Sequence, residues 1–283
     1  MSPTYFYTAL ITPLKEGKID FSAFEEFFCF QQDQGVENFI VAGTTGEGIL
    51  LRSDEYHELL KKALSLRKST KIFACLSAVA TEICVDQARL AESLGVDGLL
   101  IPTPTYVRAP KMGVYQHVEK IHDATQIPLI VYNNPARTGF EIDADLLRSI
   151  NLFPRVIGLK DSVSDIKRIE GMSKLCKELK IGYFCGEDSV VRDFIKNEAE
   201  GWISVIGNLL PRESLELWKT KDLGSLSAQK VFDAIETLKV PFPNPVPIKY
   251  ALHLLRRMNP EVRLPLIPLD EESRSQLEKG LIR

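Results

Sequence analysis

The sequence predicts an α/β fold, a (β/α)8 TIM barrel with a C-terminal helical appendage, on three observations. Eight apolar, strand-like runs alternate with eight amphipathic segments at a spacing of about thirty residues. That alternation describes a parallel sheet, and eight strands are the number that closes a barrel. Gly35, Gly95 and Gly201 stand between a helix-like segment and the next strand, where a helix C-terminus favours glycine. No G-x-G-x-x-G follows the first strand, as an open dinucleotide-binding sheet would have it.

In chain order, strands are expected at Phe6–Ile11, Phe39–Ala42, Ile72–Leu76, Gly98–Ile101, Leu129–Tyr132, Val156–Lys160, Gly182–Cys185 and Gly201–Val205. The intervening helices are expected at Phe21–Gln34, Ser53–Arg67, Thr81–Leu94, Lys111–Ala124, Asp143–Ser149, Ser164–Leu179, Val190–Asn197 and Arg212–Thr220. Asp20, Ser53 and Asp143 precede apolar-periodic stretches and read as start signals. After about Leu223 no strand-like run remains, and helices are expected at Ser227–Leu238, Ile248–Met258 and Asp270–Leu281. The proline-rich Pro241–Pro247 stretch separates the first two, since proline continues neither. The chain thus divides into a catalytic barrel, residues 1–223, and a three-helix region, residues 224–283, packed on it.

A chain of 283 residues with 45% hydrophobic and 26% charged residues suits a globular protein with a sizeable core. A net charge of −3 argues against nucleic acid or an anionic membrane as partner. No apolar run reaches transmembrane length, and Met1-Ser-Pro-Thr4 lacks the parts of a signal peptide, so a cytoplasmic location is expected. The five cysteines, Cys29, Cys75, Cys84, Cys176 and Cys185, are scattered without C-x-x-C spacing. Cys75, Cys84 and Cys185 lie among apolar neighbours and read as buried free thiols. The four histidines have no metal-ligand spacing, and no metal is expected.

The chemistry is read from three strand ends. Val156-Ile-Gly-Leu-Lys160-Asp-Ser162 puts a lysine at the carboxyl end of a buried strand, the face where α/β barrels keep their sites. A lysine in a poorly solvated pocket loses part of its preference for the charged form, and the free amine attacks carbonyls. A lysine that snorkels into solvent is the plainer alternative. Val41-Ala-Gly-Thr44-Thr45-Gly-Glu-Gly48 closes the second strand in a glycine-rich turn. Its amides and two hydroxyls suit a small carboxylate, and it lacks the lysine of a P-loop. Leu129-Ile-Val-Tyr132-Asn-Asn-Pro-Ala-Arg137-Thr-Gly139 ends the strand before that of Lys160, so Tyr132 and Lys160 should be neighbours. A phenol there serves as general acid or base, and Arg137 on the next loop suits a second carboxylate. Tyr106, on the stiff Pro102–Pro110 loop, reads from its own motif as a surface residue. An amine, a phenol, hydroxyl donors and a guanidinium on one face form the set required for Schiff-base chemistry on a 2-keto acid.

With these residues in view, nearly the whole chain, from Thr8–Pro13 to Pro243–Lys249, resembles the dihydrodipicolinate synthases, within the class I pyruvate-dependent aldolases that include N-acetylneuraminate lyase. The motifs are Gly43-Thr-Thr-Gly-Glu47, Tyr132-Asn-Asn-Pro-Ala-Arg-Thr-Gly139, Gly158-Leu-Lys-Asp-Ser162 and Gly201-Trp-Ile-Ser-Val205. The resemblance implies a Schiff base between Lys160 and pyruvate, needing no other cofactor, and a proton relay of Thr44, Tyr106 and Tyr132. It implies that Thr45 holds pyruvate's carboxylate, that Arg137 binds L-aspartate 4-semialdehyde, and that the backbone around Gly186 and Ile203 lines the pyruvate pocket. It further implies a homo-oligomer, a tetramer built as a dimer of dimers, with Tyr106 reaching the neighbouring subunit's site. The family often has a second aromatic before that tyrosine, where this chain has Thr105. The positions matching the family's lysine-regulatory site are Ser53, Tyr56, Val79, Ile83 and Thr105, a set expected not to hold free lysine. Two other readings stand beside this one: a sialic-acid or keto-deoxy-sugar-acid lyase, and a non-catalytic barrel that senses keto acids.

Overall fold

The computed structural model describes residues 5–281; the Met1–Thr4 stretch read above lies outside them. The chain opens with β1 (Tyr5–Ala9) and a hairpin of β2 (Leu14–Lys15) and β3 (Lys18–Ile19). It continues through α1 (Phe21–Asp33), β4 (Asn38–Val41), α2 (Ser53–Leu66), β5 (Lys71–Cys75), α3 (Thr81–Leu94), β6 (Gly98–Pro102) and α4 (Lys111–Ala124). Next come β7 (Leu129–Asn133), the single-turn α5 (Pro135–Thr138), α6 (Ala144–Ile150), β8 (Val156–Asp161), α7 (Ile166–Leu179) and β9 (Gly182–Cys185). Then α8 (Val191–Lys196), β10 (Gly201–Ser204) and α9 (Pro211–Thr220) complete the barrel. The chain finishes with α10 (Leu226–Thr237), α11 (Val246–Leu254) and α12 (Glu271–Leu281).

Eight parallel strands close the barrel, with β1 joining β4 on one side and β10 on the other. Two layers of apolar packing result. The inner one, inside the barrel, contains Tyr7, Phe73, Ile130, Phe184 and Ile203. The outer one lies between the strands and the helix ring. Phe184 fills the lower barrel because its neighbours give way: a Cβ on Gly158, Gly182 or Gly201 would come within 2.4, 2.6 and 2.3 Å of its ring. Gly201 therefore begins β10 to make room for Phe184, and does not end a helix as the sequence suggested. Gly95 does take the left-handed conformation that ends α3, at φ 89°.

Local chemistry sets the helix starts. Asp20 accepts from the Ala23 amide at 3.0 Å and Asp143 from the Leu146 amide at 2.9 Å, so both are N-caps. At α2 the cap is Arg52, one residue before the expected Ser53, and the Glu55 carboxylate accepts from the Arg52 amide at 2.9 Å. The hairpin was not expected. Its two-residue turn has Glu16 and Gly17 both at positive φ, the geometry that joins short antiparallel strands. The proline-rich stretch separates α10 from α11, yet α11 starts inside it, because Pro247 falls in the first turn, where a missing N–H costs nothing. α12 packs on both α10 and α11, and α10 packs on α9; the segment between α10 and α11 crosses the carboxyl face of the barrel, where it walls a cavity.

Candidate active site

Lys160 is the fifth residue of β8 and only 6% exposed. The parallel register sets Tyr132 of β7 directly beside it. Its Nζ lies 4.2 Å from the centre of the Tyr132 ring, a cation–π distance. The Tyr132 hydroxyl accepts from Asn134 Nδ2 at 2.9 Å. Ser162 Oγ lies 3.4 Å from the same phenol oxygen and donates to the Gly186 carbonyl at 2.7 Å. Burial alone would push the phenol up. The Lys160 ammonium, the Ser162 and Asn134 hydrogen bonds and the Arg137 guanidinium together outweigh burial and hold it below the ordinary tyrosine value.

Strand alternation turns the next residue, Asp161, to the other side of the sheet. There it accepts from Asn133 Nδ2 at 2.7 Å, Arg168 Nε at 3.0 Å and the Tyr183 hydroxyl at 3.1 Å. Arg168 also donates to the Ile142 carbonyl at 2.8 Å. The end of β8 is thereby tied to α7 and to the loop after α5, which fixes where the lysine points.

The turn after β4 faces Lys160 across the barrel mouth. Ala42 and Glu47 adopt positive φ at its two ends. A Cβ at Gly48 would lie 1.8 Å from the Ala42 carbonyl oxygen, so only glycine fits there. Among the described residues, the amides of Thr44 and Thr45 have no hydrogen-bond acceptor. Thr45 Oγ1 accepts from Asn244 Nδ2 at 3.1 Å, and the Asn244 carbonyl accepts from Arg137 Nη2 at 3.1 Å. A short 3-10 turn, Gly48–Leu50, lies between this turn and α2.

These groups line one cavity of about 340 Å³. It contains Lys160, Tyr132, Thr44, Thr45, Arg137 and Gly186, six of the eight residues picked out from sequence. The other two lie elsewhere. Tyr106 is 91% exposed, at φ 68°, outside this cavity. The Ile203 side chain, whose backbone was expected at the pocket wall, is buried in the barrel interior, and Val205 and Ile206, two and three residues on, line the cavity. Asp188 holds that wall in place, accepting from the Val205 and Ile206 amides at 3.0 and 2.6 Å and from Trp202 Nε1 at 2.8 Å. A second cavity of about 470 Å³ lies beyond Thr44 and Tyr132, which line both, and is bounded by Ser77, Thr103 and Thr105. Sequence reasoning missed Asn134, Ser162, Asp188 and Asn244. Three of these sit inside motifs already quoted, but their roles depend on hydrogen bonds that spacing does not reveal. The cavity can accept a small carboxylate at the turn, offer an amine to the adjoining carbonyl, and hold a phenol beside both. Among the described residues no group of three or more His, Cys, Asp or Glu side chains is arranged to hold a metal ion.

Comparison with known proteins identifies the family and agrees with the fold. The model of the dihydrodipicolinate synthetase family matches residues 3–282. The 4-hydroxy-tetrahydrodipicolinate synthase of Rickettsia typhi (strain ATCC VR-144 / Wilmington) is 33% identical over 278 residues, covering 96% of this chain and 94% of its own. That of Anaplasma marginale (strain Florida) is 34% identical over 281 residues, covering 97% and 93%. The crystal structure of dihydrodipicolinate synthase from Aquifex aeolicus superposes with a TM-score of 0.92 at 30% identity, covering 99% of this chain and 97% of that one.

Proposed function

The chain belongs to the dihydrodipicolinate synthetase family, and from that premise we propose how its cavity works on pyruvate and L-aspartate 4-semialdehyde. It is a lyase of lysine and diaminopimelate biosynthesis, of the 4-hydroxy-tetrahydrodipicolinate synthase type. In our reading the Lys160 amine adds to the keto carbon of pyruvate and water leaves, forming an imine that acts as electron sink. Loss of a methyl proton gives an enamine whose carbon attacks the aldehyde. Tyr132 and Thr44 pass protons, Thr45 and the amides of its turn hold pyruvate's carboxylate, and Arg137 receives the carboxylate of the aldehyde substrate. The covalent imine takes the place of a cofactor.

The single observation that carries this reading is the buried Lys160 ammonium, 4.2 Å from a phenol held below its usual pKa and facing an amide-lined turn. Arg137 at the rim favours an acceptor with its own carboxylate over a sugar acid. Tyr106 joins the relay from a neighbouring subunit, in a homo-oligomer of dimers paired into a tetramer. What supports this is its near-complete exposure and its absence from the lining of its own chain's cavity. We place the enzyme in the cytoplasm; no helix among the described residues is long and apolar enough to cross a membrane.

Borohydride added with pyruvate tests the reading. A reduced three-carbon adduct is expected on Lys160 and is lost in Lys160→Ala, and turnover of pyruvate with aspartate semialdehyde separates a lyase from a sensor. An adduct on Lys249, the other buried lysine among the described residues, would overturn the assignment.

A further inference from the structure

The turn that faces Lys160 carries an acid of its own. Glu47 is two residues past Thr45, is 3% exposed, and occupies the left-handed position that closes the turn, its amide donating to the Thr44 carbonyl at 3.1 Å. A buried carboxylate there opposes the approach of any anion to the Thr44 and Thr45 amides, since charges a few ångströms apart interact strongly away from water. The structure answers this with Lys249, fully buried on α11. Its Nζ donates to Glu47 Oε1 and, at 2.8 Å, to the Glu261 carbonyl. The other Glu47 oxygen accepts from the Arg263 amide at 2.8 Å. The other charged groups packed around the pair have partners of their own, an ion pair for Arg263 and backbone amides for Glu261. Arg263 makes a two-pronged ion pair with Glu55 at 2.6 and 2.8 Å, and the Glu261 carboxylate takes the amides of Glu16 and Gly17. Lys249 is therefore the cation assigned to Glu47. It also stands five residues beyond Asn244, whose side chain donates to Thr45, so the pair and the Asn244 bond clamp the turn to the chain's last third at two points.

We propose that Lys249 is a positioning residue that sets the carboxylate affinity of the Thr44–Thr45 turn, by neutralising Glu47 and holding it back from the cavity. This rests on the carboxylate role given to that turn above. Removing the cation alone leaves an uncompensated anion next to the substrate's carboxylate, whereas removing the anion alone does not. The two single variants are therefore expected to differ, strong weakening for loss of the cation and little or none for loss of the anion, which a purely structural pair would not show.

Calorimetric titration with pyruvate reads binding whether or not an imine forms. Lys249→Met should raise the pyruvate Kd roughly tenfold or more. Glu47→Gln should stay within about threefold of the wild type or bind more tightly, and Glu47→Gln combined with Lys249→Met should recover most of the loss. Steady-state kinetics should show the Lys249→Met change in the KM for pyruvate more than in kcat. Equal weakening by both single variants, or no recovery in the double variant, would overturn the proposal. Should Lys249→Met fail to fold by circular dichroism, Glu47→Gln alone decides: tenfold weaker binding overturns the proposal and unweakened binding supports it. The borohydride adduct on wild-type Lys160 is a separate readout. A wild type that binds pyruvate through this turn without an adduct would remove the imine mechanism and leave the role of Lys249 standing.

Discussion

Tyr132 lies under opposed influences: burial raises its pKa, and the Lys160 charge, the Ser162 and Asn134 hydrogen bonds and Arg137 together outweigh burial. A phenol in that state gives up and regains its proton at modest cost, so Tyr132→Phe should lower kcat by about a hundredfold, within the usual range for general acid–base groups, while the pyruvate adduct still forms on Lys160. Quench-trapping with borohydride beside steady-state rates measures both. Arg137 is solvent-exposed at the cavity rim. Its loss should therefore cost about 1.5–3 kcal/mol, as for a hydrogen bond to a charged group, and appear in kcat/KM for aspartate semialdehyde with little change for pyruvate. Equal effects on both substrates would make Arg137 a structural tie to Asn244. The partnership of Lys160 and Tyr132 was legible because strands adjacent in sequence pair in register, and each residue is the next to last of its strand. Ser162 and Asn134 were invisible because a polar residue in a loop has many possible partners. For Ile203 the expectation concerned the backbone around it; its side chain points into the barrel, and Val205 and Ile206 just beyond it line the cavity.

Elements were legible where periodicity runs long. α3, α4 and α9 follow their apolar stripes, with α9 opening one residue early at Pro211. The hairpin and α5 were missed because two-residue strands and a single helical turn carry no period to detect. The contact between α3 and α4 carries a pH dependence. His117 of α4 is 2% exposed and its Nδ1 lies 2.9 Å from Thr81 Oγ1 at the start of α3. Burial lowers its pKa from 6.5 to about 4. Between those values the unfolded chain binds a proton that the folded chain does not. Stability is therefore complete above pH 6.5 and declines as pH falls towards 4, by up to about 3 kcal/mol. Melting curves from pH 7 to 4 should show this loss, and His117→Gln should flatten it. A slope unchanged by the substitution would assign the dependence to other groups.

At the scale of the whole molecule the barrel was legible from its count of eight, and the three closing helices from the absence of further strands. Their part in the cavity was not, because nothing in a helical stripe says which opening it will cover. Tyr106 belongs to this scale as well. Tyr106→Phe and Lys160→Ala protomers, each impaired, should regain activity when mixed under demonstrated subunit exchange, because one hybrid dimer holds one intact site. No recovery would return the tyrosine to its own subunit. Free L-lysine is expected not to inhibit in the sub-millimolar range. Of the positions matching the family's regulatory site, Tyr56 is buried with its hydroxyl donating to the Cys75 carbonyl at 3.1 Å, and Ile83 offers an apolar side chain that is 50% exposed. A titration at sub-saturating pyruvate checks this. The wall that Asn244, Pro247 and Ile248 give the cavity has a temporal meaning. During synthesis every barrel strand emerges from the ribosome before those residues do, so a nascent or prematurely terminated polypeptide has a scaffold without a finished reaction chamber. Fragments that stop short of Asn244 therefore have every strand but not this wall, and are expected to show no turnover when assayed beside the full chain.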